Sequence, residues 1–283
     1  FVNTGAVGSE TLWLRGAGEG VINGALINGT GNTLGLFKEG SGQWTLNGTN
    51  TYTGPTFVDS GTLIVNGALR GSSSVLALSS TLGGKGLITG AVTNGGTFLP
   101  GGDSTIGTLT ISNTLVFGGA NAIFDVGPAG NDLVRGLTSV EYGGSALTIM
   151  TNGILTGSCV FKLFEAATYT GSLSFILPDI TALGLDWDTS YLSVDGTLRA
   201  TNGVTVTPVI NNVTRNPNGS IQISGSGTLV APFDVLASTD VALPISSWVN
   251  VGSGTFSNGA FTFTDLTATN YPQRFYLIRT PTP

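Results

Sequence analysis

GSGQWTLNGTNTYTGPTFVDSGTLIVNG, Gly40 to Gly67, holds one charged residue, Asp59, and begins a new apolar cluster after almost every Asn-Gly or Ser-Gly. Glycine and asparagine at that density mark tight corners, because both accept positive φ. The same texture runs outward in both directions. Short runs recur as Val21–Ile22, Leu34–Phe37, Trp44–Leu46, Thr56–Val58, Leu63–Val65, Val75–Leu78, Leu87–Thr89, Thr97–Leu99, Leu109–Ile111 and Leu115–Phe117. They lie about 5 to 13 residues apart, and no window keeps the i, i+3, i+4 spacing of a helix. Nine Asn-Gly dipeptides, among them those at Asn23, Asn47, Asn66, Asn94 and Asn258, punctuate them. Separate hairpins would scatter such corners. Their regular return predicts an all-β chain of stacked coils, a right-handed parallel β-solenoid. Leu46, Val58, Leu63, Val65, Leu76, Ile88, Phe98, Leu109 and Phe117 are expected to point inward.

Composition narrows the chemistry. Charged residues are 9% of the 283, against roughly 25% in an ordinary soluble domain, while 40% are hydrophobic, too many for a disordered chain. The ten cations form no basic run, so nucleic acid is not an expected partner. With no histidine and one cysteine, Cys159, the chain lacks the usual ligands of zinc, haem and iron–sulfur sites and the base of Ser-His-Asp catalysis. Cys159 reads as a small buried residue that cannot form an internal disulfide. No apolar run approaches the roughly 20 residues of a membrane helix. The opening FVNTGAVGSETLWL has no signal-peptide pattern, so a processed terminus or an internal start is expected.

The stretch also carries a resemblance. LFKEGSGQWTLNGTNTYTGPTFVDSGTLIVNG, Leu36 to Gly67, resembles the autotransporter-associated β-strand repeat, also called the passenger-associated transport repeat. Lys38, Gly40, Gly42, Leu46, Asn50, Tyr52, Gly54, Thr56, Val58, Gly61, Thr62 and Leu63 fill its pattern; Gln43-Trp44 and Pro55 depart from it. Thr81 to Ile111 is similar to coils that follow such repeats, and Phe161 to Ala200 resembles the end of the same passenger regions. The resemblance implies a secreted or surface-displayed β-helix of a Gram-negative bacterium, and an architectural unit rather than an enzyme.

Residues 1–200 are therefore expected to form the solenoid, with capping coils at about 141–200, and residues 201–208 a linker. Residues 209–283 read as a small antiparallel immunoglobulin-like β-sandwich, with Trp248 in or near its core and Phe233, Phe261 and Phe275 packed inside. This segment resembles a C-terminal module of secreted multidomain bacterial proteins, and its 75 residues are too few for a membrane β-barrel.

Candidate reactive groups are few. Asp186 and Asp188 share a strand face at a spacing compatible with a glycosidase pair, but the repeat resemblance gives them a structural place. GPAGNDLVRG looks like one turn of a calcium-binding repeat with Asp132 as its acid; that site needs tandem copies, and one is present. Asp103 lacks a second acid. The glycines of Gly16 to Gly20 read as a corner, since no Lys-Ser/Thr follows. Trp13, Trp44, Tyr52, Trp187 and Trp248 could stack on sugars only if exposed on one face. No cofactor is expected. Three function classes remain: a self-assembling structural subunit of an extracellular fibre or sheath, a glycan-binding adhesin, and a β-helix polysaccharide-degrading enzyme. The first is favoured, with Phe1, Val2, Leu12, Trp13 and Leu14 forming an assembly edge, because a solenoid end with no cap invites a strand.

Overall fold

The computed structural model describes residues 8–71, 74–202, 207–228, 231–257 and 259–280. Parallel pairing dominates the first part. One sheet starts at Gly8–Leu14 and runs through eight strands to Tyr169–Thr170; a second starts at Gly20–Ile22 and runs to Ser174–Ile176. A third, of six strands, runs from Thr49–Asn50 to Phe164–Ala166. The chain visits the sheets in rotation, so each strand's neighbours belong to the coils before and after it. This is a three-sided β-solenoid.

Coil length follows from the register. Leu12 pairs with Leu36, Leu36 with Thr56, Thr56 with Val75, Val75 with Val92, and Val92 with Leu115. Consecutive coils therefore take 24, 20, 19, 17 and 23 residues. Because side chains alternate across a strand, parallel register fixes a whole row on one face. On the second sheet Leu63, Leu82, Phe98, Ala122 and Leu147 stack inward, all fully buried. Eight of the nine expected inward residues are buried. Leu76 is not: it is in register with Phe57 and Thr93 on the outer row, while Val75 and Ala77 take the interior. In the later coils Phe98, Phe117, Phe124, Tyr142 and Phe164 form an aromatic core with centroids 5.0–6.1 Å apart.

The chain divides into two compact units. The first comprises residues 1–155, 159–178 and 188–199; the second comprises 156–158, 179–187 and 200–283. The contiguous cut at residue 200 expected from sequence therefore misses two short excursions. Within the first unit, regular strands continue to Ser174–Ile176, well into the stretch expected to cap. Residues 188–199 then lie against the last coils: Tyr142 Oη donates to Leu192 O (2.7 Å), and the Leu163 and Phe164 N–H groups share Gly196 O.

The second unit holds two three-stranded antiparallel sheets. One orders Val209–Arg215, Ile221–Ser226 and Ala260–Asp265; the other orders Val249–Thr255, Pro232–Ser238 and Phe275–Arg279. Ile223 and Phe261 of the first meet Phe233, Val235 and Ile278 of the second, with Phe256 between them. Phe275 and Trp248 lie outside this cluster. Phe275 pairs with Ser238, on the sheet face opposite Val235 and Ala237, and Trp248 follows a short 3₁₀ turn where its indole N–H donates to Leu243 O.

Candidate functional site

The repeat resembled by residues 36–67 is a set of corner devices. Asn50, 1% exposed, ties three coils with one amide: its Oδ1 accepts the Leu26 N–H (2.9 Å), and its Nδ2 donates to Gly48 O (3.0 Å) and Ala68 O (3.1 Å). Lys38 is fully buried, and its ammonium donates to Gly40 O (2.7 Å), Ser60 O (2.9 Å) and Glu39 O (3.3 Å), which uses all three protons. Burial lowers its pKa from 10.5, opposed by Glu39. Gly61 sits at φ +69°, and a Cβ there would fall 2.3 Å from Gly40 O and 2.7 Å from Lys38 Nζ. Tyr52 shares a 2.6 Å hydrogen bond with Thr56, and burial pushes its phenol up to about 12. The bonds of Asn50 to Leu26 and Ala68, and of Lys38 to Ser60, run from coil to coil.

The first described coil carries the candidates for an assembly edge. Among the described residues Gly8–Leu14 pairs on one side only, with Asn32–Lys38. Leu14 is buried and Leu12 half-buried, but Trp13 is 45% exposed. Phe1 and Val2 lie outside the described residues. Trp13, Phe37 and Phe57 form a row on the outer face, with centroids 4.4 and 6.2 Å apart, and Arg15 covers the free side of Trp13 at 4.3 Å. They border a groove of about 350 Å³ with Glu10, Thr33 and Pro55. Sequence reading named Trp13 but missed Phe37 and Phe57; their signal was the coil spacing itself, 24 and then 20 residues.

The remaining candidates resolve into structural roles. Asp132, 1% exposed, accepts the Gly107 N–H (2.8 Å) on one oxygen and the Asp125 N–H (2.9 Å) on the other, pinning the Gly101–Gly107 excursion to the next coil. Burial raises it to about 7 against those two donors. No group of three or more metal-ligating side chains occurs among the described residues. Asp103 and Asp125 both line a groove of about 420 Å³ floored by Ile64, Leu99 and Ile123. Asp186 accepts the Trp187 N–H, and Asp188 accepts the Ser190 N–H and hydroxyl, which hold it below its usual range. Cys159 is only partly buried, because it opens an edge strand rather than sitting on an inward row. Gly16 to Gly20 form the corner between the first two strands.

Buried Lys38 and Asn50 lock the corners of this parallel β-solenoid from coil to coil. Residues 36–65 match the family model of the passenger-associated transport repeat. That match implies an autotransporter passenger-type protein, since the repeat is associated with secreted passenger regions of Gram-negative bacteria. It does not extend to the sandwich. A comparison with curated proteins found no match. No described helix is long and apolar enough to cross a membrane.

Proposed function

We propose that this chain is a non-enzymatic structural subunit of a fibre or sheath on the surface of a Gram-negative bacterium, assembled from copies of itself. The locking of coil to coil by buried polar side chains carries the reading. Among the described residues Gly8–Leu14 pairs on one side only and carries the exposed Trp13, and an unpaired edge is a template for another strand. The polar inventory supports a scaffold, because the buried Lys38, Asn50 and Asp132 all bond backbone groups. Sedimentation and negative-stain imaging of the intact chain test it: concentration-dependent rods or filaments are expected, and removal of residues 1–14 should leave soluble monomers. A monodisperse monomer at high concentration overturns the reading.

A second reading, a surface-displayed adhesin for glycans, draws on the aromatic row Trp13–Phe37–Phe57 along its groove. Sugars stack on open ring faces, whereas these rings largely face one another and Arg15. Glycan binding lost on Trp13→Ala with assembly intact would favour the adhesin.

A further inference from the structure

Of the buried carboxylates described in the solenoid, Asp132 is satisfied and Asp125 is not. Asp132 spends both oxygens on backbone N–H groups. Asp125, 8% exposed, bonds only through its backbone: its N–H donates to Asp132 Oδ2 and its C=O accepts the Asp132 N–H. Its carboxylate has no donor and no ion pair among the described residues. A buried acceptor left so costs free energy unless something outside the chain meets it. Burial and the Asp103 carboxylate both push the Asp125 acid upward, as a negative neighbour does when no cation answers it.

Asp125 opens onto the groove of about 420 Å³ on the outer face of the second sheet. Ile64, Gly83 and Leu99 are in register there, and Ile123 continues their row one coil on. A Cβ on Gly83 would lie 3.3 Å from Ile64 Cδ1 and 3.0 Å from Leu99 Cβ. These side chains therefore close over Gly83 into one hydrocarbon floor, three coil steps or about 14 Å long. Asp125 lies two residues beyond Ile123 on the same face, in register with Met150. The Gly101–Gly107 excursion, pinned by Asp132, brings Asp103 to this end, and the Ser104 hydroxyl donates to it (3.2 Å). Asp125 is thus the second acid that Asp103 lacks in its own stretch of sequence.

We propose that this groove binds a small aliphatic amine, with its ammonium between Asp103 and Asp125 and its alkyl stem along Ile64, Leu99 and Ile123. Such a molecule uses both halves of the site. A hard divalent cation takes six to eight oxygens, whereas the surface beside these carboxylates is hydrocarbon. A neutral sugar would leave Asp125 unmet, and no aromatic ring among the described residues lines the groove for it to stack on. The volume suits one small molecule rather than a protein face. Lys85 borders the adjoining end of the groove with Asp103 but forms no ion pair with it. Binding here requires no self-assembly.

Met150, the one methionine of the chain, reports on the site through its methyl resonance in methionine-labelled protein. n-Pentylammonium should shift that resonance with a Kd of about 1 mM, the affinity open to six heavy atoms. Asp125→Asn should weaken binding about tenfold, since the ammonium then meets a neutral amide. Asp103→Asn, at an exposed position, should weaken it about threefold and decides the matter alone if Asp125→Asn loses the solenoid's thermal transition. No shift at about 10 mM amine overturns the proposal. An equal shift with 1-pentanol overturns it too, because the carboxylates then take no part. Calcium chloride moving the signal where the amine does not would make this a metal site. If Nα-acetyl-lysine amide binds more tightly than pentylammonium, the ligand is a polypeptide lysine and the small amine is wrong.

Discussion

The two units solve the burial of backbone polar groups in opposite ways. In the solenoid, a strand's partner is the same position one coil away, so interior and exterior rows repeat and the corners carry the difficulty. Those corners are closed by buried side chains that bond backbone: Lys38 with three carbonyls, Asn50 with three coils, Asp132 with two N–H groups. In the sandwich, the corners reach solvent and the centre carries the difficulty. It is met by the Phe233–Phe256–Phe261 cluster, with centroids 4.9–5.7 Å apart, and by one buried ionic knot. There Asp265, 3% exposed, accepts from Arg274 (2.7 Å), from the Tyr276 hydroxyl (2.8 Å) and from Thr267. The solenoid is specified by polar geometry and the sandwich by packed volume.

Truncation inside each region should separate them most sharply. Phe256→Ala removes a fully buried ring from a core of six and should destabilise the sandwich by about 3–5 kcal/mol, leaving the solenoid transition in place. Lys38→Met removes three bonds and strands three carbonyls; a loss of about 3 kcal/mol is expected in the solenoid alone. Urea titrations followed at Trp44 and Trp248, one in each unit, would read the two transitions apart. A coupled shift of both in either variant would break the distinction.

Asp132→Asn is expected to cost roughly 2 kcal/mol at acidic pH, because its amide nitrogen must face a backbone N–H in place of an oxygen. Its pH dependence discriminates further. Burial raises the folded Asp132 to about 7, so the folded state holds a proton that the unfolded chain releases from 3.8 upward. Its contribution to stability is present below 3.8 and is lost as the pH rises towards 7. For Asp265 burial pushes upward, but bonds from Thr267 and Tyr276 outweigh it and the folded value lies below 3.8. Its contribution is present above 3.8 and is lost as the pH falls through the folded value. The two units should therefore show opposite pH slopes in thermal melts, and Asp132→Asn should flatten only the first. The smallest effect is expected at the surface. Arg15, 60% exposed in its pair with Glu39, should change stability by about 0.5 kcal/mol or less on replacement by Ala.

Legibility in the sequence follows the same division. The solenoid was readable because each coil restates the phase of the last: Leu46, Leu63 and Phe98 confirm one another along a single sheet. Leu76 escaped because Val75–Leu78 is an unbroken apolar run, and alternation cannot say which member faces in; only pairing with Phe57 decides it. The sandwich gave no such cross-check. Its six strands do not repeat, so Phe256, which lies just beyond a strand end yet fills the core, was missed, and Phe275 was placed on the wrong face. The repeat residues Lys38, Asn50 and Gly61 were legible as a pattern, but their reasons were not. The partners of Lys38 and Asn50 lie up to 24 residues away, one coil up or down.

Coil register also sets how the solenoid meets a mechanical load. Its interstrand hydrogen bonds run from coil to coil along the stack, so tension on that axis pulls each bond along its own length. The coils bear the load in series, and the narrowest rung yields first. That rung is on the third sheet, where Thr49–Asn50, Ala68–Leu69 and Leu87–Ile88 are two residues long. Asn50, reaching both neighbouring coils from one of these strands, acts as a rivet at the point where the stack would tear.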